Sequence, residues 1–154
     1  MKMEKWNAKV SAKLEELATK NGAFYCNRQD GVLFADQTGE WLLFCPGSKM
    51  LSANNGKNAR SVLNNFWENA LNSDGTLAEN IVSGVLSKTK VRRFSDGEKV
   101  AYCAEKYLKM FPKNTLFYVE SMTKPVIAGI WENGVLHIIG LVMPIYPCSE
   151  FVPA

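Results

Sequence analysis

Four cysteines, a single histidine and eighteen lysines and arginines are the residues of this 154-residue chain whose types could carry chemistry. The cysteines stand at 26, 45, 103 and 148, and no Cys-x-x-Cys pair occurs among them. Neither a zinc knuckle nor a thioredoxin-type redox pair is therefore expected. Cys26, Cys45 and Cys103 lie inside apolar runs, which marks them as small core residues. Cys148, between Pro147 and Ser149, is the cysteine expected at the surface. One enzymatic arrangement can still be written: a thiol enzyme using Cys103 or Cys45 with His137 as base, which predicts a thiol of low pKa. Nothing in the spacing brings an orienting acid to such a pair. Gly56-Lys57 is no phosphate loop either, because Leu51 stands where the first glycine is needed and Asn58 where Ser or Thr is needed. The expected class is non-enzymatic, with no metal and no cofactor.

The basic residues form a pattern instead. Residues 6 to 20 read as a helix, and on a 100° helical wheel Lys5, Lys9, Lys13 and Lys20 fall within about 80° of one another. Glu16 alone intrudes on that sector. Lys106, Lys109 and Lys113 share about 60° in the same way. Like charges at this spacing slightly destabilise a helix, so local stability does not ask for such stripes. Residues 88 to 113, which include Arg92 and Arg93, hold eight basic and three acidic residues, a local +5 against +3 for the whole chain. A phosphate backbone is the usual partner of such a surface, bound weakly, salt-sensitively and without regard to sequence. These nine residues are the candidate nucleic-acid contacts.

Their scaffold is an ordinary globular chain. Composition is 47% hydrophobic, 21% charged and 11% aromatic, enough apolar matter for one core and one domain over 1–154. The most apolar stretch, Gly134 to Ile145, is broken by His137 and Pro144 and is too short to span a bilayer. The charged amphipathic start reads as no signal peptide, so a cytoplasmic location without membrane contact is expected.

Hydrophobic periodicity predicts a helix over 6–20, stopped at Asn21-Gly22. A three-strand meander follows: Ala23–Cys26, a turn at Asp30-Gly31, Val32–Phe34, a turn around Gln37-Thr38-Gly39, then Trp41–Cys45. After a polar loop at 47–58 a second helix covers 59–71. Thr76 and Glu79 read as a capping box opening a third helix that runs to Ser87. Lys88–Phe94 and Glu98–Tyr102 read as a hairpin around Asp96-Gly97, and Cys103–Phe111 as a helix stopped by Pro112. Strands at 115–120, 125–131 and 135–143 close the chain. Asn133-Gly134 is the strongest hairpin signal of all. With a two-residue turn there, Trp131 faces Leu136, Gly129 faces Ile138, and Ile127 faces Gly140. Glycine opposite isoleucine twice on one side is what close approach of a helix would tolerate.

Each end of the chain thus reads as a helix, then Phe-Tyr in a first strand (Phe24-Tyr25, Phe117-Tyr118), then a meander whose last apolar strand ends in proline (Pro46, Pro144). The expected fold is α+β, a duplicated helix-plus-antiparallel-meander unit in halves 6–46 and 88–146, with two additional helices inserted at 58–87. The C-terminal third resembles the last subdomain of the bacterial DNA polymerase sliding clamp. Tyr107-Leu108, Phe117 to Val119, Pro125-Val126 and Leu141-Val142-Met143-Pro144 carry that resemblance over about 45 residues. It implies a DNA-clamp-like core whose helices face nucleic acid. The insert has no place in that family, and the chain continues past Pro144 where clamps stop. One subdomain does not make a ring, so encirclement is not implied.

Two functional expectations compete. One is a binding protein with a clamp-like core that contacts DNA through its lysine faces or a DNA-processing protein through its apolar sheet. The other is a protein-directed module (an inhibitor, an adaptor or a homodimer), for which Trp6, Trp41, Trp67 and Trp131 and the apolar hairpin speak.

Overall fold

The structure, a computed structural model, describes residues 2–19, 23–46 and 57–154, without the side chains of 2–5, 19 and 57–62. It is a mixed α/β fold built mostly of antiparallel sheet. The first helix, α1 (Lys2–Thr19), leads into a meander of β1 (Ala23–Arg28), β2 (Gly31–Asp36) and β3 (Trp41–Pro46). A second helix, α2 (Lys57–Leu71), follows. Then come β4 (Thr76–Leu77), β5 (Asn80–Leu86), β6 (Thr89–Ser95), β7 (Val100–Ala104) and the four-residue α3 (Glu105–Leu108). A second meander, β8 (Leu116–Val119), β9 (Val126–Glu132) and β10 (Val135–Val142), is followed by the short β11 (Val152–Pro153).

Seven strands form one sheet in the order β1-β2-β3-β10-β9-β8-β4. The two meanders therefore meet last strand to last strand, β3 antiparallel to β10 with Leu42 opposite Leu141. Four strands, β11-β5-β6-β7, make a second sheet. Alternation along the large sheet sorts its side chains into two cores. On one face Val32, Phe34, Leu43, Val126, Ala128 and Ile130 pack with Leu14 of α1, Leu108 of α3, and Phe94 and Cys103 of the small sheet. Phe94 and Phe117 join the sheets with ring centroids 4.9 Å apart. On the other face Leu33, Leu42, Phe44, Ile127 and Leu141 pack under Leu63, Trp67 and Ala70 of α2. Phe44 stacks on Trp67 at 5.0 Å. Both faces of β3, and of β10 from Ile139 onward, are thus buried, which is why those stretches are apolar throughout.

The expected third helix at 76–87 is a pair of strands. Thr76 does not cap; its hydroxyl bonds the Asp96 carboxylate, and β4 pairs with β8. Ile81, Val82 and Val85 are β-branched, and β5 finds a seven-residue ladder against β6 that a helix would forgo. Ser87 and Lys88, at φ of 46° and 71°, make the two-residue turn of that hairpin. The insert is accordingly one helix and two strands, not two helices. The helix expected over 103–111 shrinks to α3, because Cys103 and Ala104 extend β7 opposite Arg92 and Val91. The first hairpin turns at Gln29-Asp30, with Arg28 paired to Gly31, one residue earlier than expected. Asn21-Gly22 and the polar loop through 56 lie outside the described residues.

The β9–β10 register runs as counted through Ile138 opposite Gly129, then slips. A bulge at Ile139 brings Gly140 opposite Ala128 and turns both Ile139 and Gly140 to the α1 face. A Cβ on Gly140 would stand 2.4 Å from the Leu42 carbonyl oxygen and 2.9 Å from the Phe111 ring. The close approach read from the glycines is real at this position, and an aromatic side chain makes it. Beyond β10 the chain crosses the small sheet. The Ile145 N–H donates to the Tyr102 carbonyl at 2.7 Å, Phe151 packs against Tyr102, and β11 pairs with β5. That crossing is what the residues after Pro144 do.

Candidate nucleic-acid interface

α1 lies on its sheet face through Trp6, Val10, Leu14 and Ala18, a stripe at helical spacing. Trp6 is half-buried, and its indole N–H donates to the Met110 carbonyl at 2.7 Å, across 104 residues of sequence. The carbonyl is available because α3 ends after one turn and the chain runs on through 109–111 in single turns. Phe111 is then driven into the core against Phe117 and Gly140. This one bond sets the second turn of α1 beside the segment that carries Lys106, Lys109 and Lys113.

On a helical wheel Lys13 stands about 20° and Lys9 about 60° from Trp6. Both lysines are therefore on the Trp6 side of α1. Lys9, Lys13, Lys106, Lys109 and Lys113 are all exposed. The Lys106 ammonium stands 4.9 Å from the Tyr107 ring centroid, a cation–π contact that leaves most of its hydration intact. Lys5 belongs to α1, but its side chain lies outside the described residues, as does all of Lys20.

The arginines behave differently. Arg92 is half-buried, with its Nε 3.4 Å from the Glu105 carboxylate, so its charge is largely spent within the fold. Arg93, the next residue, faces the opposite side of the small sheet, in a row with Val82 and Tyr102 and beneath the C-terminal crossing. The strand alternation that separates them was visible in the sequence once 88–94 was read as a strand.

The thiol arrangement meets an unfavourable environment. Burial pushes the Cys45 thiol up to about 12, and pushes Cys103 up as well. Cys103 is fully buried with Val142's carbonyl 3.9 Å from its sulfur, while His137 is exposed on β10. A nucleophile needs the opposite shift. Among the described residues no three His, Cys, Asp or Glu side chains gather as a metal site would require, and no helix is long and apolar enough to cross a membrane.

Sequence reading missed Trp6 as a positioning residue, although an indole on the edge of an apolar stripe, beside lysines, is the available signal. It also missed a polar cleft of about 680 Å³ around Arg28 at the first hairpin. There the guanidinium donates to Asn64 at 2.6 Å and stands 3.5 Å from Glu68. No family model, curated protein or solved structure matches this chain.

Proposed function

We propose that this chain is a non-enzymatic binding protein with a clamp-like core, holding nucleic acid, or a DNA-processing protein, rather than turning over a substrate. The two meanders read as copies of one unit: α1-β1-β2-β3 and α3-β8-β9-β10. Their antiparallel meeting at β3 and β10, with both helices on the same sheet face, supports that reading, because a local two-fold relation requires such a junction. The observation that supports the nucleic-acid arm is the Trp6–Met110 bond, which ties the helix carrying Lys9 and Lys13 to the segment carrying Lys106, Lys109 and Lys113. Five exposed ammonium groups on one ridge suit a polyphosphate backbone and carry no means of reading bases.

Binding to a duplex of arbitrary sequence at low salt is expected, at dissociation constants of about 10⁻⁴ to 10⁻⁶ M. Fluorescence anisotropy with a labelled duplex checks it. Charge reversal at Lys106, Lys109 and Lys113 abolishes the signal if the ridge is the interface. No binding by the unaltered protein at low salt would end the nucleic-acid reading.

A further inference from the structure

The face of the large sheet turned away from α1 is only partly covered. Seven strands at about 4.8 Å spacing span about 29 Å, and one helix about 10 Å in diameter covers about a third of that. α2 lies over the first meander and the adjoining β10 end of the second. Beyond it β9 and β10 turn Trp131 and Leu136 to the same face, and Trp131 is 56% exposed. Between α2 and these strands runs a groove of about 520 Å³, walled by Phe66 and floored by Ile127, Leu141 and Met143. A hollow of about 110 Å³ continues it past Phe66 toward Asp36.

We propose that this groove is the docking site of an amphipathic helix with basic flanks, supplied by another protein. Phe66 and the floor call for an apolar stripe, Asn69, Asn72 and Ser73 edge it with polar groups, and α2 itself shows how a helix seats on this sheet face. Leu63, Trp67 and Ala70, spaced four and three apart, make its contact. Charge selects the partner's flanks. Asp36 lines one end and Asp74 the other; Glu120 and Lys124, the one cation among the described lining residues, pair at 3.6 Å and offset each other. In a chain of net charge +3, an acidic rim on an apolar groove attracts a cationic segment and repels phosphate. The groove lies on the sheet face opposite α1, and one wall is the helix that the clamp repeat lacks. The inference therefore stands without the lysine ridge.

Peptides of about 16 residues, four to five helical turns, selected from a random display library on the full chain, test it. Winning sequences are expected to place apolar residues at i, i+4 and i+7 and to carry net positive charge. The best of them, made synthetically, should bind about tenfold more weakly to Phe66→Lys and to Asp74→Lys, with circular dichroism unchanged. Both positions are exposed, so the fold tolerates the changes. The Lys106, Lys109, Lys113 charge-reversal variant should bind the peptide like the unaltered protein, which separates failure here from failure of the nucleic-acid reading. Acidic or aperiodic winners, no enrichment, or undiminished binding by Phe66→Lys would overturn the proposal. So would a dimer in sedimentation that Phe66→Lys dissolves, which would assign the face to a second copy.

Discussion

Cys148 is the one exposed cysteine of the four, and the contrast with its buried counterparts is a direct reading of local dielectric. A thiolate inside an apolar core has lost its hydration and gained no cation, so ionisation of Cys45 and Cys103 is suppressed. Alkylation of the folded protein near neutral pH, followed by mass spectrometry, should modify Cys148 within minutes and leave Cys45 and Cys103 intact until the chain unfolds. A fast-reacting Cys103 would restore the thiol-enzyme reading. Asp96 shows the opposite electrostatics. The Thr76 hydroxyl and the N–H groups of Lys99 and Glu98 donate to its carboxylate and hold its pKa near 2. A folded pKa below the unfolded one stabilises the fold above about pH 4. That contribution disappears as pH falls through about 2. Denaturant midpoints measured from pH 5 to pH 2 should therefore drop, and Asp96→Asn should flatten the part of that drop which this turn supplies.

At the scale of the element, the Trp6 bond is the contact most open to test. Trp6→Phe keeps the aromatic packing and removes the donor, leaving the Met110 carbonyl without its partner. A loss of about 1 kcal/mol in urea unfolding is expected, with weaker DNA binding as α1 loosens from the 105–113 segment. Unchanged stability would show that α1 is held by its apolar stripe alone. The elements the sequence made legible share one property: their pattern is local. α1, α2, both meanders and the Asn133-Gly134 turn, at φ of 52° and 76°, all declare themselves within a few residues. Residues 76–87 were misread because Leu77, Ile81, Val82 and Val85 also fit a helical stripe, and Thr76 with Glu79 imitates a cap. The decision lies in a ladder with β6 that no local window contains. The bulge at Ile139 escaped for the same reason: Phe111 and Leu42, distant in sequence, crowd Gly140.

At the scale of the whole molecule, exposed lysines accompany α1 and the 105–113 segment on one side of the large sheet, and a groove with Asp36 and Asp74 at its ends runs beside α2 on the other. The α1 lysine stripe was legible because helical spacing is local, whereas the second stripe fails as a helical face, since α3 ends at Leu108 and Lys109 and Lys113 lie beyond it. The indole–carbonyl bond that ties α1 to the 109–111 segment was not legible, because its partners are 104 residues apart. Composition alone does not show that Arg92 is paired with Glu105 or that strand alternation turns Arg93 to the other side of the small sheet. The measurement that tests the merged ridge most directly is the salt dependence of duplex binding. It should be compared between the unaltered protein, Lys9→Gln with Lys13→Gln, and Lys106→Gln with Lys109→Gln and Lys113→Gln. Each lysine that meets a phosphate contributes about 0.9 to the slope of log affinity against log salt, so both variants should show shallower slopes than the unaltered protein. A slope that only one set of lysines changes, or that neither changes, would contradict a single continuous surface.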